Sequence, residues 1–256
     1  MSPILKVNEV TKKFSGIVAL DAASIEVGDG ERVGLIGPNG AGKTTFFNCM
    51  LGILRSDGGT VELMGKDISH EPVHRRAKLG LGRTFQRIEL FPDSTVRDHL
   101  FVAERVRLGT GRLWKDLFGI GGPAPEEIER CDHVLELLGL SDLAEQPIER
   151  LSLGQCRLVE VGRALMTEPK VLLLDEPSSG LDRAETDALA ATLREVQAQQ
   201  GFSILLVEHD VELVSSFTER CYVLDFGRMI LEGPTKQVLA SSEVRAAYLG
   251  NLEPTP

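Results

Sequence analysis

Features that mark several protein classes are scarce or missing in this sequence. Its four cysteines, Cys49, Cys131, Cys156 and Cys221, lie far apart and form no CxxC pair. A zinc site or a redox pair is therefore unsupported, and we expect reduced thiols, as in a cytosolic protein. The longest apolar runs, such as VLLL at 171–174, are far shorter than the roughly 20 residues of a membrane-spanning helix. Any role at a membrane is thus expected to depend on a partner.

A basic excess is also missing. The formal net charge of the 256-residue chain is −10, whereas dedicated nucleic-acid-binding domains are usually basic. A basic cluster does occur at His74, Arg75, Arg76 and Lys78, and we interpret it as a solvated helix face. No nucleic-acid partner is expected.

The apolar patterns that are present predict an α/β fold. Residues 4–14 and 17–27 alternate apolar and polar side chains, as half-buried antiparallel strands do. ERVGLIG predicts a buried strand, and VLLLDEP and SILLVEHD are continuous apolar runs ending in acids, which is typical of central parallel strands. The helical stretch between these two runs implies a right-handed crossover. CYVLDFG and MILEG predict a closing hairpin.

The middle of the chain predicts a helical subdomain. Residues 88–107 look helical, and the Gly- and Pro-rich stretch at about 108–125 predicts a long loop. A helix is expected over 125–138, because Pro125 suits a first turn and Gly139 suits a C-terminal cap. Its apolar residues on one face are Ile128, Cys131, Leu135 and Leu138. We therefore expect a helical subdomain over about 86–160, inserted into a catalytic core of about 1–85 and 160–256.

The stretch GPNGAGKTT, residues 37–45, fits the pattern G-x-x-x-x-G-K-[ST] between a predicted strand and a predicted helix from about Lys43. Glycines let backbone N–H groups approach phosphate oxygens, and the helix directs its positive dipole end to the same place. Lys43 suits the outer phosphates and the Thr44 hydroxyl suits Mg²⁺. The loop predicts binding of a nucleoside triphosphate, but kinases, GTPases and mechanical ATPases all use such a loop.

Acidic residues after VLLL favour hydrolysis. Asp175 ends a buried strand, at the edge where α/β sheets place ligands, and would reach Mg²⁺ through its water shell. Glu176 can orient and deprotonate a water molecule in line with the γ-phosphate. A carboxylate there favours hydrolysis over transfer to a small-molecule acceptor.

Three weaker signals accompany these motifs. In LSLGQ, Ser152 has N-cap character and Gly154 permits close backbone approach, which suggests a second anion-binding helix start. Gln86 in GRTFQ and His209 in LLVEHD would each, taken alone, be ordinary polar residues.

In their order and spacing, GPNGAGKTT, Gln86, LSLGQ, VLLLDEP, SSGLD and His209 resemble the nucleotide-binding subunit of an ABC (ATP-binding cassette) transporter, over roughly residues 4–250. The resemblance implies a P-loop NTPase (RecA-like) core with an N-terminal antiparallel β subdomain and an inserted α-helical subdomain. In this family two cassettes close head to tail around two ATP molecules. Each ATP lies between the phosphate loop of one subunit and the signature helix of the other.

The resemblance implies a role for each matching residue. The phosphates would be held by the loop residues Gly37, Pro38, Asn39, Gly40, Ala41, Gly42, Lys43, Thr44 and Thr45. Mg²⁺ would be served by Thr44, Gln86 and Asp175. The catalytic set would be Glu176 as general base, His209 at the γ-phosphate, Gln86 and Lys43.

Other matching positions imply contacts with the opposite subunit or the base. The γ-phosphate of the opposite subunit's ATP would be bound by Ser152, Gly154 and Gln155. Asp182 would help to join the two sites, and Phe14 would stack on adenine unless it is a core residue of the first hairpin. The signature departs from its familiar form at Leu153, where glycine is usual, and at Cys156, where a long polar or basic residue is usual.

Further cues resemble the ATPases of branched-chain amino-acid importers: FSGIVALD, RTFQRIELFPDSTVRDHL, LLVEHDVELV and VRAAYLG. This likeness implies a second ATPase subunit (the same or a different chain), two permease subunits and, indirectly, a solute-binding protein. It also implies a place on the cytoplasmic face of the bacterial inner membrane, with Leu90–Leu100 as the segment that meets the permease. The alternatives are the ATPase of a lipid or lipopolysaccharide exporter and a soluble ABC ATPase of a cluster-assembly scaffold.

Overall fold

A computed structural model describes residues 2–84, 90–91, 93–108 and 123–244. In chain order the strands are β1 (Leu5–Phe14), β2 (Ile17–Val27), β3 (Arg32–Ile36), β4 (Gly58–Leu63), β5 (Lys66–Asp67), β6 (Leu81–Arg83), β7 (Val171–Asp175), β8 (Ser203–Val207), β9 (Arg220–Asp225) and β10 (Arg228–Pro234). The helices are α1 (Lys43–Leu51), α2 (Val73–Lys78), α3 (Val96–Leu108), α4 (Pro125–Leu137), α5 (Leu153–Leu165), α6 (Arg183–Gln200), α7 (Val211–Phe217) and α8 (Thr235–Leu239).

The chain divides into two compact units, and the first contains both sheets. This unit comprises Met1–Leu81, Lys170–Glu176 and Gly201–Pro256. An antiparallel sheet has the order β2-β1-β4-β5, and a second sheet has the order β10-β9-β3-β8-β7, with β6 beginning at its edge. Strands β9, β3, β8 and β7 are parallel, whereas β10 forms an antiparallel hairpin with β9. These features confirm the predicted antiparallel strands, the parallel sheet and the closing hairpin.

The core of the first unit packs residues from both sheets around α1. Phe46 and Phe47 of α1 are fully buried in this cluster, together with Leu173 of β7 and Leu205 of β8. Helix α1 begins at Lys43, as the sequence predicts. The phosphate loop is therefore fixed at both ends, by strand β3 before it and by a buried helix after it.

Helices make up most of the second unit, Gly82–Pro169 and Pro177–Gln200. In it α3 packs against α4 and α5, and α5 packs against α6. The prediction for α4 is confirmed at both ends, since Pro125 begins the helix and Gly139, with φ +66°, follows it. The prediction for its buried face is wrong at Ile128, which is 39% exposed. The face covered by α3 begins a turn later, at Cys131, whose thiol lies against the Arg97 carbonyl.

The predicted helix over 88–107 starts too early. Among the described residues of this stretch, helix begins only at Val96. The cause is a reciprocal cap: the Asp98 backbone N–H donates to the Thr95 hydroxyl (3.1 Å), and the Thr95 N–H donates to the Asp98 carboxylate (3.0 Å). In the sequence, the spacing Thr-x-x-Asp indicates this helix start.

His99, in α3, binds the segment that precedes this helix. Its side chain is buried, and its Nδ1 lies 2.8 Å from the Thr95 carbonyl, so Nδ1 carries the proton. Nε2 therefore accepts from the Phe91 N–H at 2.8 Å, and the two rings stack with centroids 5.7 Å apart. Burial, aided by the charge of Arg163, lowers the pKa of His99.

Several predictions fall partly outside this description. Residues 109–122, which include most of the predicted long loop, lie outside the described residues, and so do Gln86 and Pro92. In the described ranges, no helix combines the length and hydropathy needed to cross a bilayer. The division at about residues 86 and 160 stays a prediction.

Candidate nucleotide-binding site

Two glycines of the phosphate loop are required by close backbone contacts. A Cβ at Gly37 (φ +156°) would lie 2.1 Å from the Leu224 carbonyl oxygen. A Cβ at Gly42 (φ +107°) would lie 2.7 Å from the Ala19 carbonyl oxygen. Both distances are far below van der Waals contact, so the loop is packed against β9 on one side and β2 on the other.

Another part of the loop faces open space. A Cβ at Gly40 (φ +83°) would meet no heavy atom within 4 Å, and Asn39 beside it is exposed. Helix α1 starts next to this open side, and its N-cap, Gly42, has no side chain with which to cap it. A helix start of this kind favours an anion.

Lys43 supplies a buried cation. It is 7% exposed, and its Nζ donates to the carbonyls of Gly37 (2.6 Å) and Pro38 (3.1 Å). Burial lowers the pKa of Lys43, and nearby carboxylates oppose that shift; they are Glu176, Asp175 and Glu208. A desolvated cation that donates to two carbonyls of its own loop, beside an open helix start, fits a polyphosphate.

The parallel sheet brings three strand ends to one edge. Val207 of β8 pairs with Leu35 of β3 and with Asp175 of β7. The next residues continue this register, because the Glu176 N–H donates to the Val207 carbonyl (2.9 Å) and the Glu208 N–H donates to the Leu35 carbonyl (3.3 Å). Glu176 has φ +47°, a left-handed conformation that costs a non-glycine residue about 1–3 kcal/mol.

His209 lies beside two carboxylates at this edge. Its Nδ1 is 3.8 Å from Glu176 Oε1 and 3.7 Å from Glu208 Oε2, and its side chain is 57% exposed. Glu208 is fully buried and accepts from the backbone N–H groups of His209 (3.0 Å) and Asp210 (3.3 Å). The sequence reasoning gave Glu208 no role, although the acidic end of SILLVEHD was noted. The structure identifies it as the residue that fixes the backbone of His209.

The residues expected to hold Mg²⁺ have suitable chemistry. Thr44 is exposed in the first turn of α1, and Asp175 is partly exposed at the end of β7. Hydroxyl and carboxylate oxygens are the donors that Mg²⁺ prefers. Thr45 is partly exposed beside Thr44. These residues fit the ion, and their role as its ligands stays a prediction.

Phe14 ends β1 beside the phosphate loop. It is 43% exposed, and the ammonium of Lys12 lies 5.4 Å from the centre of its ring. Ala19, on the partner strand of the same hairpin, contacts Gly42, and the Ala41 carbonyl accepts from the Gly227 N–H (2.8 Å). Its exposure shows that the alternative in which Phe14 is a core residue is wrong, and its stacking on adenine stays a prediction.

Both motifs in the second unit are helix caps. The Gln155 N–H donates to the Ser152 hydroxyl (3.2 Å), and the Gln155 side chain accepts from the Ser152 N–H (2.9 Å). Asp182 forms the same reciprocal pattern with Glu185 before α6, at 2.8 and 3.1 Å. The predicted N-cap character of Ser152 is confirmed. The contacts of Ser152, Gly154, Gln155 and Asp182 with a neighbouring subunit stay predictions.

Comparisons with known proteins agree on one family. A profile of the family described as ABC transporter matches residues 20–179. The high-affinity branched-chain amino acid transport ATP-binding protein BraF of Pseudomonas aeruginosa is 37% identical over 251 residues, which is 97% of this chain and 98% of that protein. The corresponding protein LivG of Escherichia coli is also 37% identical over 251 residues, with the same coverage. A probable LivG of Archaeoglobus fulgidus is 36% identical over 249 residues, 96% of this chain and 95% of that protein.

Solved structures give the same result for the fold. The ADP conformation of an ATP-binding cassette of an ABC transporter superposes with a TM-score of 0.87 at 34% identity, covering 98% of this chain and all of that one. A nucleotide-free cassette from an ABC transporter superposes with a TM-score of 0.86 at 32% identity, covering 96% and 98% of the two chains.

Proposed function

The chain belongs to the ABC transporter family of nucleotide-binding ATPases, and we propose that it energises the import of branched-chain amino acids or similar small polar solutes. One observation supports the ATPase chemistry most: a glycine loop with a buried Lys43 lies at the sheet edge where Glu176 and His209 meet. The solute class is taken from relatives that align along nearly the whole chain.

The proposed reaction assigns a proton transfer to Glu176. A water oxygen attacks the γ-phosphorus, its proton passes to the Glu176 carboxylate, and the bond from phosphorus to the β–γ bridging oxygen breaks. ADP leaves with that electron pair. Lys43 exchanges its bonds to the Gly37 and Pro38 carbonyls for bonds to phosphate oxygens, and His209, 3.8 Å from Glu176, contacts the γ-phosphate and positions the water.

The remaining residues bind and orient the nucleotide. Thr44, Asp175 and Gln86 would hold Mg²⁺, which would supply positive charge that neutralises the phosphates. Phe14 would stack on adenine. The backbone of residues 37–45 would surround the phosphates, with Gly40 on the open side.

A second cassette would complete each site. Ser152, Gly154 and Gln155 would contact the ATP of the opposite subunit, and Asp182 would link the two sites.

Two permeases would bind near Leu90–Leu100, on the cytoplasmic face of the inner membrane, and a solute-binding protein would act through them. We also propose that about 86–160 forms the helical subdomain and that about 1–85 and 160–256 form the catalytic core. ATP does work in this arrangement because it binds the closed dimer better than the open one.

The test is ATP hydrolysis and solute uptake by the chain reconstituted with its permeases in vesicles. Glu176→Gln keeps the size of the side chain but removes the base. Hydrolysis and leucine uptake should fall together, by about 10²- to 10⁴-fold, while the affinity for ATP is retained. Uptake that survives in this variant would contradict the proposal, and so would wild-type vesicles that hydrolyse ATP without moving any branched-chain amino acid.

A further inference from the structure

The signature turn and the SSGLD loop, defined here as residues 152–157 and 178–182, are in contact within the second unit. Gly180 has φ +84°, and a Cβ there would lie 3.0 Å from Leu153 Cδ2. A Cβ at Gly154 would lie 3.5 Å from Glu185 Oε1, on the residue that caps Asp182. The side chain of Leu153 therefore covers the loop at its glycine, and α5 meets the start of α6 directly beside it.

Arg157 joins the same two segments from the buried side. It is 6% exposed, its Nη1 donates to Glu160 (3.0 Å), and its Nη2 donates to the Ser179 carbonyl (3.2 Å). The loop is thus contacted by a leucine near the surface and by a guanidinium beneath it. These contacts lie at consecutive residues, Ser179 and Gly180.

Leu153 is also one of the two residues, with Cys156, at which this chain departs from the familiar signature. A glycine there would have no side chain to reach residue 180. Leu153 is 38% exposed in the first turn of α5, and its Cδ2 is the atom that lies against Gly180.

We propose that Leu153, with Arg157 beneath it, is a positioning residue that fixes the SSGLD loop against the signature turn. Ser152, Gly154, Gln155 and Asp182 then form one preformed surface for the partner cassette. This inference rests on the proposed function, because that surface has a role only where two cassettes close on ATP. An ordered loop lowers the entropy that closure must remove, so the contact favours turnover and leaves nucleotide binding by a single chain unchanged.

Amide hydrogen exchange of the isolated full chain tests the contact itself. Leu153→Ala should speed exchange at residues 179–182 about fivefold, because the contact between Leu153 Cδ2 and Gly180 is lost. Leu153→Met, which has a similar volume, should stay near the wild-type rate. Ile128→Ala is the matched control, since Ile128 is 39% exposed on another helix of the same unit. Unchanged exchange in Leu153→Ala would overturn the inference.

Turnover by the reconstituted transporter tests the positioning role. Leu153→Ala should lower kcat about three- to fivefold, by the same loss of packing, with an unchanged affinity of the isolated chain for ATP. Leu153→Met should restore kcat. Arg157→Lys keeps a cation beside Glu160 but has one flexible ammonium in place of the planar guanidinium, so it should also lower kcat without changing that affinity.

The outcomes separate this inference from the proposed function. Faster exchange with unchanged kcat in Leu153→Ala would overturn the positioning role while the ATPase assignment stands. A lowered ATP affinity in the isolated Leu153→Ala chain would also contradict it, since it would indicate general damage. A wild-type transporter that neither hydrolyses ATP nor imports solute would overturn the proposed function, and the positioning role with it, whatever the exchange rates.

Discussion

Replacing Arg76 with methionine should destabilise the first unit strongly, although Arg76 lies in a short surface helix. Arg76 is 3% exposed. Its guanidinium donates to four carbonyls at the end of α1 and before α2, those of Cys49 (3.0 Å), Met50 (2.6 Å), Ser69 (2.7 Å) and Glu71 (2.9 Å). Methionine fills a similar volume but donates no hydrogen bond.

The size of the effect follows from these four acceptors. A buried acceptor that loses its donor costs about 1–3 kcal/mol, and a cation near a helix C-terminus contributes about 0.3–1 kcal/mol. Part of this cost is offset, because water can enter the site and because the variant no longer removes a charged guanidinium from water. We therefore expect a loss of about 3 kcal/mol in the free energy of unfolding. For a protein of this size that corresponds to a fall in Tm of about 6–12 °C.

Urea and thermal unfolding measure this loss, and the neighbouring residue provides the control. The side chain of Arg75 is 66% exposed and pairs only loosely with Glu71, at 3.5 Å. Arg75→Met should change the unfolding free energy by no more than about 0.5 kcal/mol. If Arg76→Met costs less than about 1 kcal/mol, or no more than Arg75→Met, then the buried bonds do not stabilise the end of α1 as reasoned here.

Three further predictions concern the loop and the second unit. Lys43→Met should weaken ATP binding about 10- to 100-fold, measured with a fluorescent analogue, because one charge-assisted bond is lost; an unchanged Kd would contradict the role of Lys43. Gly37→Ala should unfold at much lower urea than Gly40→Ala, since only the former meets a carbonyl oxygen, at 2.1 Å; equal midpoints would refute the packing argument. The lowered pKa of His99 means that the unfolded chain binds more protons than the folded chain. The contribution of His99 to the free energy of unfolding should therefore be complete above about pH 6.5 and be lost as the pH falls through the folded pKa. His99→Gln should flatten this dependence, and an equally steep curve in the variant would contradict it.

Short sequence patterns predicted the helices and strands of this chain well. The predictions that failed concern exposure, which depends on tertiary packing. The helix start at Lys43 and the helix end before Gly139 follow from glycine chemistry that a short window contains. The exposure of Ile128 and the burial of Arg76 depend on which elements lie over each helix. A short stretch of sequence does not contain that information. The interpretation of residues 74–78 as a solvated face is wrong at Arg76 for this reason. A charged side chain is assigned to the surface by default, whereas four backbone carbonyls can make its burial favourable.

The two consecutive acids after β7 show what backbone geometry adds to a motif. In a continuing strand, adjacent side chains point to opposite faces of the sheet, so Asp175 and Glu176 would not be expected to act on one cation. Burial lowers the pKa of Lys43, and both carboxylates oppose that shift. The left-handed φ of +47° at Glu176 ends the alternation at that residue, while its N–H still pairs with Val207. Glu176 thus leaves the alternation of the strand at the residue whose carboxylate lies 3.8 Å from His209 Nδ1. The strain persists because the buried strands on both sides fix the backbone around it.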